Sequence, residues 1–211
     1  MGSQAVKGNR RYDASGRRRA AQARRRVIVD VALRRMLADG YAGTTVAAIA
    51  EEAGVSVETV YKGFGGKAGL VRAMWERGLA GEGPTPAAAR SDAASAHLGD
   101  PREVIARWTE IGMEVAPRAA PILLMVRAAA SADPDLRDVL ARIESAALAR
   151  MDHNARAIGR HLRPGVTVAH ARDVLVAYTE PVLYDLLVTR QGWSLREYAD
   201  FQRRCIEAQL L

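Results

Sequence analysis

Four histidines and a lone cysteine are the side chains in this 211-residue chain best suited to metal or nucleophilic chemistry. Their spacing argues against both. His97, His153, His161 and His170 show neither His-x3-His nor His-Glu-x2-His spacing, so no helix face gathers the ligands that a zinc ion needs. Cys205 falls in an apolar stripe near the chain's end and reads as packing. Alone, it excludes a disulfide framework and any multi-cysteine zinc site. The chain has no Walker loop, no Gly-x-Ser-x-Gly and no Gly-x-Gly-x-x-Gly. We therefore expect no catalytic residue, no metal, no cofactor and no enzymatic activity.

Charge is the chemistry that remains. The formal net charge is +7, and it is not evenly spread. Residues 1–26 hold nine bases against one acid, Asp13, while the rest of the chain holds 22 bases and 23 acids. The whole excess therefore sits in a short segment with Gly, Ser and Asn. Such a block reads as a disordered arm suited to nucleic-acid contact; a solubilising tail or a targeting peptide is the alternative.

The most informative segment is 44–67, TTVAAIAEEAGVSVETVYKGFGGK. Ala50, Gly54 and Val60 have helix–turn–helix spacing. Small Ala50 lets two helices cross closely, Gly54 can take the positive φ of a tight turn, and Val60 packs the back of the second helix. Val46, Ile49, Ala50, Val55, Val60 and Phe64 then face inward. That leaves Ser56, Val57, Glu58, Thr59, Tyr61 and Lys62 as the exposed set on or beside the second helix. In a DNA-binding helix–turn–helix this helix enters the major groove, with hydroxyls for phosphates or bases and lysine for phosphate. A helical hairpin without nucleic acid has the same bare spacing.

With Gly40-Tyr41, Thr44-Thr45-Val46, Ile49-Ala50, Ala53-Gly54-Val55-Ser56, Thr59-Val60-Tyr61, Phe64 and Lys67, residues 18–80 resemble the TetR family of bacterial transcriptional regulators. The resemblance implies that Thr45 caps the second helix and touches a phosphate. It places Thr59 at the groove, anchors Tyr61 and Lys67 to the backbone, and makes Val57 and Lys62 base or phosphate contacts. The chain departs from the pattern at Ala47 and Gly63, where members often carry polar or basic residues. Glu58 stands at a frequently small position. Residues 27–80 hold six bases and six acids, so non-specific affinity must come from elsewhere. We expect Arg10 to Arg26 to reach along the backbone or into an adjacent minor groove, with Arg17, Arg18, Arg19 and Arg24 as the candidate contacts.

These side chains need helices to hold them. The whole sequence reads as helix after helix, with no convincing strand alternation. We expect an all-α chain: a basic disordered arm at 1–17, a three-helix helix–turn–helix DNA-binding domain at 18–80 and a helical ligand-binding and dimerisation domain at 81–211. The first helix should run from about Arg18 to Asp39 and stop at Gly40. The next should cover Val46–Ala53, a short one should follow the Ser56 cap, and a fourth should run from Lys67 to about Leu79. Residues 81–100 read as a loose connection. Pro117 and Pro121 should kink or break the helix begun by Asp100-Pro101. A single helix is expected from Thr167 to about Arg190, and another from Ser194 to about Leu210.

The last two segments carry long apolar stripes. By the resemblance they pair with a two-fold mate, through Val174, Val182, Leu186, Tyr198, Cys205 and Ile206. Trp108, Met113, Met125, Tyr178 and Tyr184 are candidate contacts for a small hydrophobic or amphipathic effector, with Arg127, His153 and Glu180 as polar groups beside it. No apolar run reaches the roughly 18–20 residues of a membrane span, and the N-terminus has no apolar stretch, so a cytoplasmic protein is expected. The expected function is a homodimeric, ligand-responsive repressor on a palindromic operator. A regulator without an effector, or an interaction module without DNA, is the alternative.

Overall fold

Arginine and alanine both favour helix, and the run Arg17–Arg26 is built of little else. In the computed structural model, which describes residues 10–81, 83–96 and 99–211, this run lies within α1 (Arg10–Gly43). The expected start at Arg18 is thus corrected: the segment read as a disordered arm is helical from Arg10. Residues 1–9, and His97 among the histidines, lie outside the described residues. Gly40 interrupts α1 with φ 75°, where the helix was expected to end, and a last turn follows to Gly43. The Thr44 hydroxyl donates to the Gly40 carbonyl at 2.9 Å, satisfying one of the acceptors a helix end leaves open.

Three helices follow: α2 (Val46–Glu52), α3 (Val57–Phe64) and α4 (Lys67–Ala80). The connection holds one short helix, α5 (Ala87–Ala96). Asp100 caps α6 (Pro101–Ala129), its carboxylate accepting from the Arg102 N–H at 2.9 Å. Of the two expected outcomes, a kink or a break, Pro117 and Pro121 do not break α6. Each proline removes one hydrogen bond, to the carbonyls of Met113 and Pro117, at roughly 3 kcal/mol. Packing of α1, α4, α5, α7, α9 and α10 along the helix offsets that cost.

Asp133 caps α7 (Pro134–Ala157). A 3-10 turn at Gly159–His161 leads to α8 (Val168–Thr179). The single helix expected from Thr167 to Arg190 is divided at Glu180, which is extended (φ −60°, ψ 133°). Pro181 is the cause, since proline drives its predecessor out of the helical region. After it come α9 (Pro181–Tyr184), a π-helical turn at Asp185–Arg190 and α10 (Leu195–Leu210). A reciprocal Ser194–Glu197 capping box opens α10.

Two hydrophobic cores hold these helices. One gathers Met36 of α1, Ile49 of α2, Val60 of α3 and Leu70 of α4 with Ile122, Val126, Leu136 and Val139 from α6 and α7. The other joins Ile105, Ala155, Ile158, Leu175, Ile206 and Leu210. The first core therefore crosses the expected boundary near residue 81. At Gly78, α4 lies against the Ala119 backbone, 3.5 Å from where a β-carbon would stand.

Candidate nucleic-acid interface

The turn between α2 and α3 has the geometry that its residues demand. Thr45 caps α2, its hydroxyl accepting from the Ala48 N–H at 3.1 Å. Gly54 takes φ 66°, a conformation that a β-carbon penalises. Ser56 caps α3 by accepting from the Thr59 N–H at 3.2 Å. The Ser56 and Thr59 hydroxyls also share a hydrogen bond of 2.8 Å, so the cap occupies both groups. Ala50 and Val60 are buried at the crossing, as expected, while Arg34 and Arg35 of α1 pair with Glu52 of α2. These pairs hold the Glu52 carboxyl below its usual range.

The outward face of α3 is Val57, Glu58, Tyr61 and Lys62; Thr59 is half-buried beside them. Tyr61 is 54% exposed and Val57 41%. The Glu58 and Lys62 charges on this face offset one another, so α3 alone supplies little attraction for phosphate.

Lys67, expected at a phosphate, has its ammonium engaged within the chain. Its ammonium donates to the carbonyls of Tyr41 at 2.7 Å and Thr44 at 3.0 Å, and stands 4.0 Å from the centre of the Tyr41 ring. Desolvation lowers its pKa. The ammonium thus serves as a clamp between the start of α4 and the end of α1. The Tyr41 hydroxyl in turn donates to Asp133 at 3.0 Å, at the head of α7.

Arg17, Arg18, Arg19 and Arg24 lie on exposed turns of α1. Arg25 does not behave like them. Its guanidinium stacks 4.2 Å above the Phe64 ring and donates to the Gly63 carbonyl at 2.8 Å. Sequence reasoning set Arg25 within the arm and not at the end of α3, because no local pattern links residues 38 positions apart.

Residues 28–74 match the family model of bacterial regulatory proteins of the tetR family. That match spans the helix–turn–helix, from within α1 to within α4. The chain's whole fold is also that of solved TetR-type regulators. A protein described as a TetR-family regulator from Rhodococcus sp. aligns at 20% identity and TM-score 0.66, covering 89% of this chain and 98% of its own. A transcriptional regulator from Saccharomonospora viridis, solved in complex with choline, aligns at 20% identity and TM-score 0.67, covering 90% and 98%. FadR from Bacillus subtilis, in complex with stearoyl-CoA, aligns at 18% identity and TM-score 0.68, covering 85% and 96%. No curated protein matches the chain.

In the C-terminal half of the chain, the five effector candidates are not brought to one place. Trp108 and Tyr178 pack on the second core and Met125 on the first. Tyr184 stands edge-to-face with Tyr198, their ring centres 5.8 Å apart. Met113 alone lines a cleft of about 600 Å³ between α6 and the start of α10, with Glu110, Pro117, Arg118, Leu195 and Arg196. Of the polar candidates, Arg127 is paired with Glu180 at 2.6 and 3.2 Å. His153 lies 3.3 Å from Asp92. Among the described residues, the Trp108 indole N–H and the Asn154 side-chain oxygen are buried without a hydrogen-bond partner.

The interface candidates divide as well. Ile206 belongs to the second core and Tyr198 is 3% exposed, so the chain's own interior takes both. Val182 and Leu186 are 54% and 44% exposed, and Val174 and Cys205 are half-buried. Among the described residues no group of three His, Cys, Asp or Glu side chains could hold a metal ion, and no helix is long and apolar enough to cross a membrane.

Proposed function

We propose that this regulator is a cytoplasmic repressor that binds a palindromic operator as a homodimer and releases it on binding a small molecule. The observation that carries the DNA reading is the outward face of α3, held by the Ser56 cap and the Gly54 turn with Val57, Tyr61 and Lys62 exposed. Such a helix fits the major groove, and two copies about 34–36 Å apart read a palindrome. The exposed Val182 and Leu186 support a two-fold contact through the α9 region. Thr45 has its hydroxyl proton left to donate to phosphate, and Arg17, Arg18, Arg19 and Arg24 supply the backbone attraction that α3 lacks.

The effector reading draws support from the cleft beside Met113 and from the orphaned Trp108 donor and Asn154 acceptor. A buried donor without a partner costs about 1–3 kcal/mol, which a ligand acceptor would recover. The packing of Trp108, Met125 and Tyr178 on the cores favours a second reading, a DNA-binding regulator that answers to no small molecule.

Fluorescence anisotropy on duplexes from the DNA flanking the protein's own gene tests the proposal. Tight binding of one duplex over a scrambled control, by a species of dimer mass in light scattering, is the expected result. Choline and stearoyl-CoA serve as first effector probes. An effector must bind the free protein more tightly than the DNA complex, because coupling between two ligands is reciprocal. No discrimination between duplexes would refute the DNA reading, and a wide ligand screen without release would select the second one.

A further inference from the structure

The end of α3 carries a second feature that the reading of its outward face does not use. A cleft of about 330 Å³ lies there, lined by Arg25 of α1, Tyr61, Lys62 and Gly63 of α3, and Arg72 and Glu76 of α4. Three cations face one carboxylate in it. Tyr61 and Lys62 belong also to the exposed face, so the cleft and that face are continuous. Gly63 contributes no side chain, and a β-carbon built on it would meet nothing within 4 Å. Space at this point is therefore open, where a larger residue would stand in many relatives by the resemblance noted above.

Arg25 fills the chemical gap from another helix. One of its five N–H donors is committed to the Gly63 carbonyl, and its plane rests on Phe64. The remaining donors are held in a fixed position beside Lys62, so little side-chain entropy is left to lose on binding an anion. A guanidinium held over Phe64 with two further cations suits a phosphodiester, whose two non-bridging oxygens share one negative charge and can accept from the fork together. We infer that Arg25, with Lys62 and Arg72, forms a phosphate seat that grips the DNA backbone at the edge of the groove entered by α3. In this arrangement α1 supplies the charge that Glu58 cancels on α3. Arg25 is then part of the rigid reading head, not of the arm before it. The inference rests on the DNA-binding reading.

The test is a salt series of anisotropy titrations with the full chain, on the flanking duplex and on a scrambled one. The variants are R25M, R25K and R72M, with thermal unfolding of each. Methionine keeps an apolar chain over Phe64 and removes the charge. A contacted phosphate adds about one to the slope of log affinity against log salt. We expect R25M and R72M each to flatten that slope by about one and to weaken both duplexes alike, while R25K keeps the wild-type slope. R72M does not touch the Phe64 stack, so it decides the matter if R25M unfolds. Unchanged slopes in folded R25M and R72M would overturn the seat. Equal loss in R25K and R25M, with lowered stability and an unchanged slope in R72M, would make Arg25 a strut and overturn it too. Wild-type protein that binds neither duplex would overturn the DNA reading and the seat together.

Discussion

Lys67 shows how far a residue's type and spacing carry. Its place after Phe-Gly-Gly marks the start of α4, and α4 begins there. Its role depends on partners 23 and 26 residues earlier, and no local pattern encodes their direction. Thr45, Ser56, Gly54 and Val60 were legible for the opposite reason: a cap, a positive φ and a back-face contact are decided within a few residues. Lys67→Met should therefore act on stability before it acts on DNA. Removing two charged hydrogen bonds and the contact with the Tyr41 ring should cost about 2 kcal/mol, read in denaturant unfolding. The salt slope for DNA should stay at its wild-type value once the protein is folded. A flattened slope would restore Lys67 to the phosphate contacts. Gly69 makes the complementary case, of an absent side chain. A β-carbon there would stand 1.6 Å from the Phe64 carbonyl oxygen, so Gly69→Ala must push α4 away from the end of α3. Its cost should reach or exceed the ~1–3 kcal/mol usual for overpacking, with operator affinity falling alongside the unfolding midpoint. An alanine variant of wild-type stability would refute this.

At the scale of the elements, helix starts were read well where a cap or a proline marks them, as for α2, α3, α6 and α10. At two places a local rule has to be weighed against the packing around it. Pro117 and Pro121 sit in α6, which runs unbroken through them against α1, α4, α5, α7, α9 and α10. Pro181 divides the stretch after α8, where the apolar stripe alone suggested continuity. The basic segment was misread differently: its charge pattern suggested disorder, and its high helix propensity prevailed from Arg10 onward. The consequence for DNA is steric. A helix with side chains is about 10–12 Å across, whereas the minor groove is about 6 Å wide, so the described part of this segment suits the phosphate backbone rather than the groove floor. Removal of residues 1–17 should weaken operator and scrambled DNA to a similar degree and flatten the salt slope, leaving base discrimination in place. A truncation that changed discrimination but not the slope would put this segment in contact with bases.

Across the whole molecule, the reading head and the C-terminal half are joined by more than a linker. The first core runs from α1 through α4 into α6 and α7, and the contact from Lys67 through Tyr41 to Asp133 lies at its edge. The sequence placed a boundary near residue 81 because composition changes there; it could not show that Ile122, Val126 and Leu136 pack with Met36 and Leu70. A ligand that moves α6 or α7 can therefore bias the reading head without a separate signalling element. The Asp133 carboxylate offers a direct probe of this junction. The Leu136 backbone N–H holds its pKa below the usual value, and the Tyr41 hydroxyl and the Lys67 charge add to the effect against opposing desolvation. A carboxyl with a lowered pKa in the folded state contributes stability at neutral pH and loses it as pH falls through that folded value. Asp133→Asn keeps a capping residue but cannot titrate. The wild-type unfolding midpoint should thus fall more steeply than that of D133N as pH drops below about 4, the ordinary carboxyl range. Tyr41→Phe should make the wild-type curve shallower there, because the hydroxyl that favours the charged carboxylate is gone. Parallel curves for all three proteins would show that Asp133 does not couple the two halves. A shallower D133N curve with weakened effector release would locate the coupling at this contact.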